Sequence, residues 1–521
     1  MRTTGILIAA LAAFALRTEA QEVPRPAALD SVDVESIAAV ASLFRESHDS
    51  VWPGFDLSSQ PLLVYRPGQW AIVLNPPEDV AGYGPYPASW PPLGAPALLH
   101  SGAIGGLVGQ LEFDYQVGST TTVAIPIADN LPGQPQPRVR ALFGFVVHEA
   151  FHQFQRSAFR GVDEPSEERY PILDRQNNAR AALEMRILED AVRAVERLDS
   201  AGARRLAGTF IAQRRFRWEQ APRLVREFER AKELTEGTAK YVESRLIADM
   251  AVRCRAGSVT GQYVCQSLQS VTAASYLQED FDSRLVDGAL SPGDVPRNRI
   301  YPAGAAIGVL LDFFGVDWKH AAASLPDSSS LADLLAASLS MQDARFASLR
   351  TEADRRYGLP GIQRRSQRLI DAYVREAAAA VRAFEAQPGY RVEVQLPAAG
   401  TSRSRSSTGK RWVMDAGRRV FGAEFLAYTL RRPGQAVFLA VERRPVLDDL
   451  VAEGERRVTF YVPSVDSIRV DGAPGAFTPT DARRFDDLLI RGAGFSLEAR
   501  VPGTLTLSAN RIAVRLAPRA P

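Results

Sequence analysis

Arg138-Val139-Arg140-Ala141-Leu142-Phe143-Gly144-Phe145-Val146-Val147-His148-Glu149-Ala150-Phe151-His152-Gln153-Phe154-Gln155-Arg156 is the stretch that decides how this chain folds. Leu142, Phe143, Phe145, Val146, Val147, Phe151 and Phe154 make it a helix that is apolar on most sides, and such a helix belongs inside a large domain. Two uncharged histidines and a carboxylate are costly to bury there without partners, and a metal ion supplies them. The spacing suits one. Residues four apart on a helix lie almost one above the other, so His148 and His152 can reach a single ion. Glu149 projects in a neighbouring direction, where it can act on a water at that ion without ligating it. Gly144, four residues before His148, shares its face and leaves room above the ligands.

A hydrolytic zinc site wants three protein ligands and one open position. In the pattern HExxHxxGxxH the later positions are Gln155 and Ala158 here, which excludes that class. The remaining histidines, His48, His100 and His320, have no motif around them and read as surface or core residues. The stretch Glu233-Leu234-Thr235-Glu236-Gly237-Thr238-Ala239-Lys240-Tyr241-Val242-Glu243 offers Glu236 at the first turn of a helix capped by Thr235, with Ala239 and Glu243 continuing its face. Glu243, two turns on, is placed to accept the second N–H of a ligand histidine. On spacing alone, an exposed helical carboxylate is the simpler reading of Glu236.

HEAFHQFQ followed far downstream by TEGTAKYVE resembles the gluzincins, the branch of zinc metallopeptidases that joins HExxH to a Glu on a second helix. The likeness is greatest to a set of uncharacterised bacterial zincin-like exported proteins with a helical insert between the two motifs. Here that insert carries Arg180-Ala181-Ala182-Leu183-Glu184 and Arg214 to Trp218. A later segment, Arg297-Asn298-Arg299-Ile300-Tyr301-Pro302 running on through Gly304 to Asp312, belongs to the same likeness, which covers roughly Pro137 to Trp318. It implies zinc on His148, His152 and Glu236, with Glu149 as general base and proton carrier in peptide-bond hydrolysis. It also implies a donor for the developing oxyanion, for which Tyr301 is the first candidate and Arg299 the second. Lys240 departs from the pattern: thermolysin-like enzymes carry an acidic residue at that position.

The remainder of the chain frames this site. Sixty-two basic and sixty acidic residues in 521 leave a formal net charge of +2, which argues against nucleic acid as an obligatory partner. Met1-Arg2, the apolar run Ile6 to Leu16 and Thr18-Glu19-Ala20 describe a signal peptide cleaved after Ala20, so a periplasmic or secreted chain is expected. No later segment reads as membrane-spanning, since Ala305 to Val316 is short and broken by Asp312. Cys254 and Cys265 are expected to form a disulfide in that compartment.

Residues 21–136 read as a Pro-rich stretch over Val23 to Ala28, a helix over Ser31 to Ser47 and a small sheet with strands near Leu62 to Tyr65, Trp70 to Leu74 and Thr122 to Pro126. Residues 137–386 are helical in pattern. Residues 387–521 turn β-rich at Tyr390 to Leu396, Ala436 to Val441 and Arg457 to Val462, which suggests a β-sandwich-like accessory domain, with Thr401 to Lys410 as a mobile loop. The fold class is therefore α+β, with a mostly helical catalytic domain. An edge strand of the small sheet would suit an extended peptide substrate. The alternative function is a secreted binding or surface-interaction protein whose zinc site is vestigial or structural, and the same metal chemistry would also serve a non-peptide bond.

Overall fold

The computed structural model describes residues 31–46, 51–57, 60–76, 78–104, 107, 112–127, 135–161, 164–258, 265–266, 268, 270–340, 343–407, 410–432, 437–452, 454–475 and 480–517. The expected signal segment, Val23 to Ala28, His48 and Ala436 lie outside these residues. The chain is α+β and divides into two compact units, one of Met1–Glu46 with Ser58–Pro135 and the other of Ser47–Leu57 with Gln136–Pro521.

In the first unit, helix α1 (Ser31–Glu46) accompanies a six-stranded sheet of β1 (Leu62–Arg66), β2 (Trp70–Leu74), β3 (Gly84–Pro85), β4 (Ala97–Ser101), β5 (Glu112–Val117) and β6 (Thr120–Pro126). Their order is β3-β4-β2-β1-β6-β5. Every residue of β1 and β2 is buried, as continuous apolar runs in central strands should be. Strand β1 runs antiparallel to β2 and parallel to β6. Asp33 of α1 accepts an ion pair from Arg66 at 2.8 Å, so neither charge is left bare inside this unit.

The main stretch of the second unit opens on α2 (Pro135–Ala158), the long helix expected from the motif stretch. Its Phe151 is held by Trp52 and Phe55, whose ring centres lie 5.1 and 5.0 Å away. There follow α3 (Arg175–Glu196), α4 (Ser200–Gln220), α5 (Arg223–Lys232), α6 (Thr238–Arg255), α7 (Ala273–Arg284) and α8 (Ile300–Phe313). Asp174 caps α3 by accepting from the backbone N–H groups of Gln176 and Asn177, and Thr272 with Ser275 forms a capping box on α7. Helices over Lys319–Ala323, Leu331–Leu339, Asp343–Arg356 and Leu359–Glu385 complete the helical part. Cys254 and Cys265 are bonded, as expected. No helix among the described residues is long and apolar enough to cross a membrane.

Between α5 and α6 the helix does not start afresh. A π-helical turn, Glu233–Gly237, joins the two, so Thr235 is not a cap; its hydroxyl bonds back to the Ala231 carbonyl at 3.2 Å. Gly237 lies against Gly304 of α8 so closely that a Cβ on either would stand 2.6 Å from the other's Cα. Glycine at both positions is what lets the two helices cross at backbone distance.

The C-terminal part is one hydrogen-bonded sheet of thirteen strands. Its long strand β9 (Val437–Ala452) pairs β8 (Arg419–Arg431) on one side and changes partner on the other, from β11 (Phe495–Ala499) to β10 (Glu455–Val462). Two arms of sheet therefore leave β9, and Ile468, Ile490 and Leu497 of one share a buried cluster with Val392, Val458 and Ile512 of the other. The packing is sandwich-like, built on a single sheet rather than on two. The stretch read as a mobile loop is partly a strand, β7 (Ser402–Ser407), antiparallel to β8. Its Ser/Arg composition pointed to solvent, but backbone pairing to β8 decides, and Arg403 reaches Asp448 at 2.9 Å and Glu168 at 3.3 Å.

Candidate metal centre

Helix α2 presents His148 and His152 one turn apart, and the π turn brings Glu236 against both. Glu236 Oε2 lies 3.4 Å from His148 Nε2 and 3.1 Å from His152 Nε2, and the two nitrogens are 3.1 Å apart. Ligand atoms 2.0 to 2.1 Å from a tetrahedral ion stand about 3.3 Å from one another, so this triangle has the edge length that zinc requires. Three lone-pair atoms this close repel unless a proton or a cation lies among them. Among the described residues, these three side chains form the group with metal-ligand spacing. His100 bonds the Gly82 carbonyl and the exposed His320 faces Asp317.

Each imidazole is oriented from behind. His148 donates its Nδ1–H to Glu243 Oε2 at 3.1 Å, which is the role anticipated for Glu243. His152 donates its Nδ1–H to Gln155 Oε1 at 2.7 Å. In the neutral imidazoles these tautomers leave Nε2 as the ligating atom. The Gln155 amide then donates to the Thr235 carbonyl at 2.9 Å and Thr238 Oγ1 at 2.7 Å, which ties α2 to the ligand turn. Burial acts against charge on His148, but its hydrogen bonds to Glu236 and Glu243 outweigh that and hold it protonated up to about 9, so a cation entering the site must displace that proton.

Glu243 is itself pinned. Lys240 donates to its Oε1 at 2.7 Å and to Asp280 at 2.8 Å, while Tyr276 donates to the same Oε1. Burial would raise the Glu243 carboxyl, yet Lys240 and the bond to His148 bring it down to about 2. Lys240, the departure from the thermolysin-like pattern, therefore supports the acid rather than replacing it. The room above Gly144 is taken up by this carboxylate: a Cβ there would lie 3.0 Å from Glu243 Oε1. Glu236 Oε1, on the outer side, faces Lys232 at 3.3 Å.

Glu149 is buried, and its Oε2 has no hydrogen-bond partner among the described residues. Burial pushes its carboxyl above the usual range, against the pull of His148 and His152. A carboxylate in this state accepts a proton readily. Tyr301, in the first turn of α8, stacks on His148 with ring centres 5.6 Å apart and feels the charge of Glu236. Burial and the Glu236 charge raise its phenol, which keeps it a donor.

Arg299, the second candidate donor, does not reach the cluster. It is fully buried, and its guanidinium donates to Glu229 at 2.6 Å and to the Val295 carbonyl at 3.0 Å. Gln155 and Tyr276 were not anticipated. Gln155 stands three residues after His152, on its face of the helix, and that spacing was the available signal. Nothing local marks Tyr276, which comes from another helix. Compared with known proteins, the chain matches no family model, no curated protein and no solved structure.

Proposed function

We propose that this chain is an exported zinc-dependent peptidase of gluzincin type, with His148, His152 and Glu236 as ligands. The observation that carries the reading is the triangle of ligand atoms at tetrahedral spacing, 3.1, 3.1 and 3.4 Å, between the π turn and the helix that also bears Glu149. Zinc, when bound, supplies Lewis acidity, which makes water a nucleophile near neutrality and polarises a carbonyl. Glu149 takes the proton of the attacking water on its unpartnered oxygen and passes it to the leaving amine. Tyr301 donates a hydrogen bond to the oxygen on which charge develops. Glu243 and Gln155 hold the two imidazoles in register throughout. The Cys254–Cys265 disulfide fits the oxidising compartment that export implies.

A closed structural zinc site uses four protein ligands and an open hydrolytic one three, which is the number grouped among the described residues. That count favours hydrolysis over the binding-protein alternative. Digestion of a peptide library with purified protein tests the reading. Cleavage should cease on chelation and return on adding zinc. Bound zinc without cleavage of any peptide would favour the binding protein or a non-peptide substrate, and a protein that takes up no zinc would overturn the proposal.

A further inference from the structure

Behind the ligand turn lies a buried cage of six charges that the proposed chemistry does not use. Arg214, Arg217 and Arg299 face Glu184, Glu229 and Glu233, and all six are essentially inaccessible to water. Arg217 grips Glu229 through Nη1 and Nη2 at 2.8 and 2.6 Å, and Arg299 reaches the same carboxylate. Arg214 donates from Nη1 to both oxygens of Glu233 at 2.9 Å and from Nε to Glu184 at 2.6 Å. Three positive and three negative side chains leave the cage neutral, which is the condition for burying it at all.

Glu233 is the first residue of the π turn, and Glu236 is the fourth. In a regular helix their side chains would project about 60° apart, whereas the wider π turn opens the angle to about 115°. That extra rotation lets one residue face the cage and the other face His148 and His152. A π turn forgoes regular hydrogen bonding, so it persists where side-chain contacts over-determine it. Gly237 against Gly304 closes it on one side, and the Arg214–Glu233 pair anchors its start.

We propose that Glu233 is a positioning residue: held through both oxygens by Arg214, it fixes the π turn and so aims Glu236 at the two histidines. The inference rests on the metal reading for its consequence but not for its geometry. Its test compares Glu233→Gln with Glu184→Gln. Each removes one carboxylate from the same cage, but Glu184 sits on α3, outside the ligand turn, and touches that turn only by way of Arg214.

Both variants should melt earlier than the parent. Only Glu233→Gln should weaken cobalt(II) binding, by about tenfold or more, and change the visible absorption of the cobalt protein. In the metal-free protein, only Glu233→Gln should shift the imidazole ¹⁵N resonances of His148 and His152. Equal effects of the two variants on cobalt and on the imidazoles would overturn the proposal, because a general loss of stability predicts that result. If Glu233→Gln does not fold, Glu233→Asp, which keeps the charge and shortens the arm, carries the same comparison. If the parent binds no cobalt, the metal reading fails by itself and the imidazole resonances still decide the positioning role.

Discussion

Gln155 accepts from His152 Nδ1 at 2.7 Å while its own amide donates to Thr238 Oγ1 at 2.7 Å, so one side chain orients His152 and fastens it to the start of α6, next to the turn that carries Glu236. Changing Gln155→Ala should loosen both. We expect zinc affinity to fall about 10- to 100-fold, as for other partners of ligating histidines, measured by competition with a chromophoric chelator. An unchanged affinity would mean that packing alone orients His152.

Glu149→Gln and Tyr301→Phe should separate binding from chemistry. Glu149 touches none of the ligand atoms through hydrogen bonds, so the glutamine variant should keep its zinc and lose hydrolysis by about 10²- to 10⁴-fold. Removing the Tyr301 hydroxyl should lower kcat by about 10²- to 10³-fold with little change in KM. A Tyr301→Phe enzyme with parental kcat would confine that residue to packing on His148.

Acid should weaken the fold through the buried cage. Burial opposes ionisation of Glu229, but the charges of Arg217 and Arg299 outweigh it and hold its carboxyl well below the usual range; Glu184 is lowered in the same manner by Arg214 and Arg217. A depressed carboxylate contributes its full stability above its unfolded value, near 4.5, and loses it as the pH falls toward the folded value. Glu233, which burial raises, acts in the opposite sense to these two acids. The urea midpoint should therefore drop on acidification below about pH 4.5. Glu229→Gln should cost about 3 to 5 kcal/mol at neutral pH and flatten that dependence; a parallel fall in both proteins would assign acid lability elsewhere.

The Cys254–Cys265 bridge closes a short loop beyond the end of α6, the helix that holds Glu243. Replacing both cysteines by serine should lower stability by about 2 to 3 kcal/mol, read from urea unfolding under non-reducing conditions. Zinc affinity in the folded state should hold, because Glu236 and Glu243 lie about three or more turns away from the bridge.

What could be read from residues in order was what local periodicity encodes. The HExxH pair lies on one helix at four-residue spacing, and the strands Leu62–Arg66, Trp70–Leu74 and Tyr390–Pro397 are short apolar or alternating runs, so each declares itself. Glu236 was reached as a candidate ligand through resemblance to a known motif, and its setting was misread, because a π turn has no signature in a single sequence. Its cause is tertiary, lying in Arg214, Glu233 and Gly304. Arg299 became a candidate donor through the same resemblance, and only the fold brings a neutralising Glu229 to it from seventy positions away. Strand β7 was obscured in the same way, since its Ser and Arg residues carry polarity but no hint of the β8 backbone that pairs with them.

The meeting of Gly237 with Gly304 carries a consequence for how such a centre is mapped. Mutational scans find working residues by truncating side chains, and these two have none to truncate. The distance between the turn that carries Glu236 and the helix that carries Tyr301 is set by hydrogen atoms where every other amino acid has carbon. Adding one methyl group at either position would drive the π turn and α8 away from each other and carry Glu236 away from Tyr301. At this crossing, the absence of a side chain is the feature that must be kept.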